Sequence, residues 1–106
     1  MKSVRNSVQL IGRLGKDPEV KTFGKSQKAS FSIATTDSYK NDKGEKVEDT
    51  QWHNVIVWGK LADIAGQYLK KGAEVAVEGK LVHRVYETDK GEKRYTTEIN
   101  VNDFAM

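Results

Sequence analysis

Two tryptophans on one short segment offer the clearest chemistry in this chain. In Trp52-His53-Asn54-Val55-Ile56-Val57-Trp58, the period-two geometry of a strand sets Val55 and Val57 on one face. Trp52, Asn54, Ile56 and Trp58 fall on the other. If the valines pack in a core, both indoles face outward, about 20 Å apart at the ordinary strand rise. Outward rings of this size are unusual on a solvated surface. They could stack on nucleobases, at about 1–3 kcal/mol per base whatever its identity, or they could cover a subunit interface. A later segment repeats the pattern: Val75, Val77 and Leu81 form its inward set, leaving Lys80, Val82, Arg84 and Tyr86 outward. Lys and Arg neutralise phosphate, whereas the centres of protein–protein interfaces are depleted in lysine. The interleaved cations therefore favour nucleic acid. Tyr39, with Lys40 and Lys43, falls in a long polar stretch from Asp37 to Asp49, expected to be a loop able to fold over the aromatic strand.

Other chemistries find no support. Gly12-Arg13-Leu14-Gly15-Lys16 is too short between its glycines to wrap a phosphate, and no Ser or Thr follows Lys16. His53 and His83 are the only histidines, and neither has a partner at metal-ligand spacing. His53 lies on the inward parity of its strand, which suits a packed or interface histidine. Most carboxylates fall in turns or beside lysines, with no pair placed for acid–base work. Neither enzymatic activity nor a cofactor is expected.

Composition agrees with a binding role without identifying one. The chain has 106 residues, room for one modest core, with 31% charged and 37% hydrophobic residues. Eighteen Lys and Arg against fifteen Asp and Glu leave a formal charge of +3, enough for a local basic groove only if the two signs are segregated. Cysteine is absent, which excludes disulfides and Cys-ligated zinc and fits a reducing cytoplasm. The N-terminus lacks the apolar core of a signal peptide, and no apolar run approaches the ~20 residues that span a bilayer. The pattern is that of a cytoplasmic protein with no membrane partner.

The elements that would position these side chains are mostly strands. Val8, Leu10 and Leu14 share a face, with Gly12 at a point where the strand could bend. Ala29, Phe31 and Ile33 alternate with Ser30 and Ser32. Further strands are expected at about Thr50 to Trp58, Glu74 to Tyr86 and Arg94 to Asp103. Between the third and fourth, Leu61, Ile64, Ala65, Tyr68 and Leu69 fall on a helical stripe, and Gly72 suits the stop. Asp-Lys-Gly-Glu-Lys occurs twice, at Asp42–Lys46 and Asp89–Lys93, and reads as a pair of hairpin tips. Three strands, one helix and two strands are the plan of an all-β OB-fold, a five-stranded Greek-key barrel with a helix between strands three and four. Residues 1–106 are expected to form this single domain.

A series of blocks in this order resembles the bacterial single-stranded DNA-binding protein family. They are Asn6-Ser7-Val8-Gln9-Leu10-Ile11-Gly12-Arg13-Leu14-Gly15-Lys16-Asp17-Pro18-Glu19-Val20, Trp52-His53-Asn54-Val55, Trp58-Gly59-Lys60-Leu61-Ala62, Tyr68-Leu69-Lys70-Lys71-Gly72, Val77-Glu78-Gly79-Lys80-Leu81 and Tyr95-Thr96-Thr97-Glu98. The similarity spans nearly the whole chain. It implies an OB-fold that assembles, usually as a homotetramer, and wraps single-stranded DNA in replication, recombination and repair, in the nucleoid. The family's stacking positions fall on Tyr39, Trp52, Trp58 and Tyr86, and its phosphate-contacting positions on Lys21, Lys60, Lys71 and Arg84. Its interface histidine corresponds to His53. The family often has Trp at the Tyr39 and Tyr86 positions and Phe at that of Trp58. Ser7, Asn54, Val82 and Val85 stand where Lys or Arg is common. Members usually continue into a flexible tail with an acidic tip that recruits repair proteins. This sequence stops at Asn102-Asp103-Phe104-Ala105-Met106, so no tail-mediated recruitment is expected of it. The alternative is a dimeric replication-restart accessory OB protein whose outward face serves protein contacts as well as DNA.

Overall fold

The computed structural model describes residues 5–106. Its elements are β1 (Val8–Leu14), β2 (Glu19–Phe23), β3 (Ser26–Lys40), β4 (Lys46–Trp58), α1 (Lys60–Tyr68), β5 (Glu74–Glu87) and β6 (Lys93–Ala105). The sheet runs β1-β5-β6-β4-β3-β2, and β1 also pairs with β3 through Arg13↔Ala34 and Leu14↔Ile33. That second pairing closes β1, β5, β6, β4 and β3 into a five-stranded barrel, with the helix between β4 and β5. The expected OB-fold is present. Among the described residues, no helix is long and apolar enough to cross a membrane.

Alternation fills the barrel as anticipated. Leu14, Ala29, Phe31, Ile33, Val55, Val57, Val75 and Val77 point inward and are buried. At β1 the backbone comes so close to β3 that a Cβ on Gly12 would lie 2.5 Å from the Ala34 carbonyl oxygen, so the closure needs glycine there.

Three features of the strands differ from the sequence expectation. A sixth strand, β2, forms a hairpin with β3 from Glu19↔Ser30 to Phe23↔Ser26; all five of its residues are exposed, so it carries no inside-outside alternation. The stretch from Asp37 to Asp49 is mostly not a loop: β3 and β4 stay paired out to Lys40↔Lys46. Leu81 is exposed rather than inward, because β5 and β6 leave the barrel at about this point and continue as a free hairpin. The radius of gyration, 16.0 Å, against about 13 Å for a compact chain of this length, reflects these two projecting arms. Gly44 and Gly91, in the repeated pentapeptides, hold φ of +78° and +79°, as hairpin tips require.

The helix turns a narrower face inward than its stripe suggested. Ala62, Ala65 and Leu69 are buried, while Ile64 and Tyr68 are exposed. Small residues let α1 lie close over the barrel end and over β2. A Cβ on Gly66 would meet Val20 Cγ2 at 2.7 Å, which explains a residue costing up to about 1 kcal/mol in helix propensity. Gly66→Ala alone should therefore gain little stability. Combined with Val20→Ala, which clears the space, it should raise stability by up to ~1 kcal/mol over Val20→Ala in urea melts.

Candidate nucleic-acid interface

Strand register assembles one continuous outer face from five strands. Across β3 and β4 the rows are Lys28↔Trp58, Ser30↔Ile56, Ser32↔Asn54 and Ala34↔Trp52. From β4 to β6 the parallel pairs Asn54↔Glu98 and Ile56↔Asn100 continue those rows. Across β6 and β5 come Lys80↔Asn100, Val82↔Glu98, Arg84↔Thr96 and Tyr86↔Arg94. Lys21 on β2 faces Lys28.

The two tryptophans are mounted differently. Trp52 is 61% exposed, and the outer edge of its indole abuts Gly15: a Cβ there would sit 2.5 Å from one indole carbon and 2.9 Å from another. Glycine leaves room for that edge, which steadies the ring while most of it stays open to solvent. Trp58 is 43% exposed and braced. The Phe23 ring stands 6.3 Å away, tilted by 44°, and Lys28 Nζ lies 5.5 Å from the indole centroid, within cation–π range.

Between the tryptophans lies an open groove of about 360 Å³, whose lining includes Ser30, Ser32, Asn54, Ile56 and Glu98, with Lys16, Lys28, Asp17 and Glu19, of both charge signs, also lining it. Small polar side chains keep this floor low. Ile56 belongs to it and is nonetheless 4% exposed, so it packs within the sheet surface rather than presenting another plate.

The remaining candidates are spread over this face and beyond it. Arg84 and Tyr86 reach it from the β5–β6 arm, with Tyr86 half-exposed. Arg84 Nε donates to Glu98 Oε1 at 2.9 Å. Lys21 is exposed and loosely paired with Glu19 at 3.4 Å, a contact worth little in water. Lys21 and Lys28 are like charges directly opposed on neighbouring strands, an arrangement that favours a bound anion. Lys60 starts α1 beside Trp58 and lines a surface recess with Lys25 and Thr22. Lys71 lies past the helix end, its backbone N–H held by Asp17 Oδ1 at 2.9 Å. Tyr39 is on strand β3, paired with Val47, and by strand parity on the opposite side of the arm ribbon from Trp52. His53 is half-buried, with its ring Nε2 3.0 Å from Thr35 Oγ1.

Phe23, Lys28 and Glu98 belong to the face and were missed from sequence. Phe23 sits one residue before a glycine turn at Gly24 (φ +61°), a hairpin signal that would have found it.

The profile of the Single-strand binding protein family matches residues 5–106. The chain belongs to that family. Among curated relatives of this single-strand binding family member, Single-stranded DNA-binding protein 1 of Chlorobaculum tepidum is 46% identical over 103 residues, covering 95% of this chain and 64% of its own length. The Single-stranded DNA-binding protein of Neisseria meningitidis serogroup A is 44% identical over 102 residues, 95% of this chain and 59% of its own. This chain thus spans less than two thirds of the length of these two relatives. Among solved structures, the Plasmodium falciparum SSB complex with ssDNA superposes with a TM-score of 0.86 at 31% identity, covering 99% of this chain and 95% of that one.

Proposed function

We propose that residues 1–106 act as one non-catalytic domain that binds and protects single-stranded DNA with little regard to sequence. The observation that carries this reading is the pair of exposed indoles, Trp52 and Trp58, on one sheet face with a low polar floor between them. Spaced plates with a shallow floor suit splayed bases, and every base has a face to stack. A duplex, whose bases are already stacked, gains nothing from them. Trp52, Trp58 and Tyr86 are the stacking groups, and Tyr39, on the other side of the arm ribbon, joins them for a strand that wraps around the arm. Lys21, Lys60, Lys71 and Arg84 neutralise phosphates. The names of the relatives support the same ligand, and replication, recombination and repair in the cytoplasmic nucleoid are where such a ligand arises.

The domain acts as a homo-oligomer, probed first as a tetramer, with His53 at a subunit contact. Support comes from the outer face of β1 and β5, away from the groove. There Ile11 is 67% exposed beside an open recess of about 520 Å³ lined in part by Gln9, Ala76 and Phe104. One titration examines both halves of the proposal. Adding dT oligonucleotides of graded length should quench tryptophan fluorescence, weaken with added salt and saturate at a complex mass that counts the subunits. Absence of quenching at low salt would refute DNA binding; a monomer mass would refute the assembly.

A further inference from the structure

Three carboxylates line the groove, Asp17 and Glu19 toward β2 and Glu98 on β6, and of these Glu98 is the one held against an arginine of the same face. Glu98 lines the groove between the tryptophans and also the neighbouring recess around Arg84 and Tyr86. Its side chain is only 16% exposed, whereas that of Arg84 is 49% exposed. The contact is short, 2.9 Å from Arg84 Nε to Glu98 Oε1, as charge-assisted hydrogen bonds are. The partners are in adjacent rows, since Glu98 pairs with Val82 and Arg84 with Thr96. The arginine that this part of the face offers to a crossing strand is therefore already engaged by the protein's own anion.

We infer that Glu98 is an internal competitor for the DNA backbone, a built-in limit on affinity. This rests on the DNA-binding reading above. In the free protein Glu98 holds Arg84. A phosphate arriving there must share the guanidinium with, or take it from, a fixed carboxylate that also repels it. The pair contributes almost no net charge, so it releases few counterions from the strand despite containing an arginine. The carboxylate also biases orientation: phosphates are kept out of the groove floor, while base edges carrying N–H donors can approach Glu98 and Asn54. Between the plates the strand runs with bases inward and backbone outward.

Glu98→Gln tests this with little structural risk, because the amide keeps the shape and strands only a half-hydrated cation. Unmasking one cation should steepen the salt dependence of dT-oligonucleotide affinity by about 0.7 in log K against log salt. That amounts to a gain of about five-fold at 0.1 M salt that fades toward 1 M. Val82→Lys calibrates the scale: directly opposite Glu98, it adds one cation that shares the carboxylate with Arg84, so the net gain is again one positive charge. The two variants should shift the slope alike. A Glu98→Gln slope equal to wild type, a gain that does not vary with salt, or weaker binding would overturn the inference. If Glu98→Gln fails to fold, Val82→Lys alone decides, because an unchanged slope would mean that no phosphate passes this point. Wild-type quenching is read in parallel: without it the DNA-binding reading fails, and with it only the role of Glu98 is at stake.

Discussion

Trp52→Ala should weaken binding of single-stranded oligonucleotides by about 5- to 150-fold, the range of ~1–3 kcal/mol for one base–aromatic stack. The upper part of that range is expected, because Trp52 is the more exposed indole and its outer edge is steadied against Gly15. A plate with a fixed seat loses little side-chain freedom on binding, so the contact keeps most of its gross value. Trp58→Ala should cost less, since the Phe23 ring 6.3 Å away remains to offer a partial surface. The loss should also be nearly independent of salt, as stacking displaces no counterions. Fluorescence of the remaining tryptophan and oligonucleotide anisotropy would measure both. A loss below two-fold for Trp52→Ala, with the fold intact by circular dichroism, would remove the stacking track from the proposal. Gly15→Ala offers an indirect version: a methyl 2.5 Å from the indole must tilt the plate without touching the ligand.

The second large effect concerns stability. Gly79→Ala should destabilise the fold by about 3 kcal/mol or more, toward the high end of overpacking costs. A Cβ at this position would lie 2.0 Å from the Asn100 carbonyl oxygen and 2.9 Å from Val101 Cα, atoms of a neighbouring strand that have no rotamer to change. The cause is a bulge. Glu78 pairs with Asp103 but Gly79 pairs with Val101, so Asn102 is the extra residue on β6. The displaced strand presses against β5 where only glycine fits. Gly44→Ala is the informative comparison, because it carries a positive φ with nothing within 4 Å. It should cost about 1–2 kcal/mol from backbone strain alone. Chemical denaturation of the two variants separates collision from strain; similar losses would refute the clash argument.

The same bulge marks where sequence reasoning succeeds and where it stops. Alternation located the barrel because a barrel has a dry interior: Ala29, Phe31 and Ile33 had to share a face, as did Val55 and Val57. It placed both tryptophans outside for the same reason. In β6 the inward residues are Ile99, Val101 and Phe104, whose spacing slips by one across Asn102, and a strict period of two misses that slip. Where the chain leaves the barrel the signal fades altogether. Strand β2, whose five residues are all exposed though α1 lies beside Val20, and the exposed arm residues from Asp37 to Lys40 bury too little for their side chains to separate a paired strand from a loop. The sequence pattern therefore assigns Tyr39 to a loop and gives Phe23 no place on the face. The helix stripe failed differently: the barrel end is covered by Ala62, Ala65 and Leu69, and alanines carry little weight in a periodicity dominated by larger residues. Glu98 was invisible as a site because its importance lies in a cross-strand neighbour, Arg84, that only register supplies.

Register has one more implication, for the time order in which this molecule assembles. The β3–β4 and β5–β6 hairpins are long and local, and each can zip from its own glycine tip. Their strands pair through Asn54, Val55 and Ile56 against Glu98, Ile99 and Asn100, residues more than forty positions apart along the chain. A short ladder between distant segments gains contact energy late and loses much chain entropy first, so docking of the two hairpins, like closure of β1 on β5, is expected to follow hairpin formation. The outer face crosses that seam, with Trp52 and Trp58 on one side and Arg84 and Tyr86 on the other. A bound strand would thus act as a suture across a late-forming joint, holding the barrel shut for as long as the complex lasts.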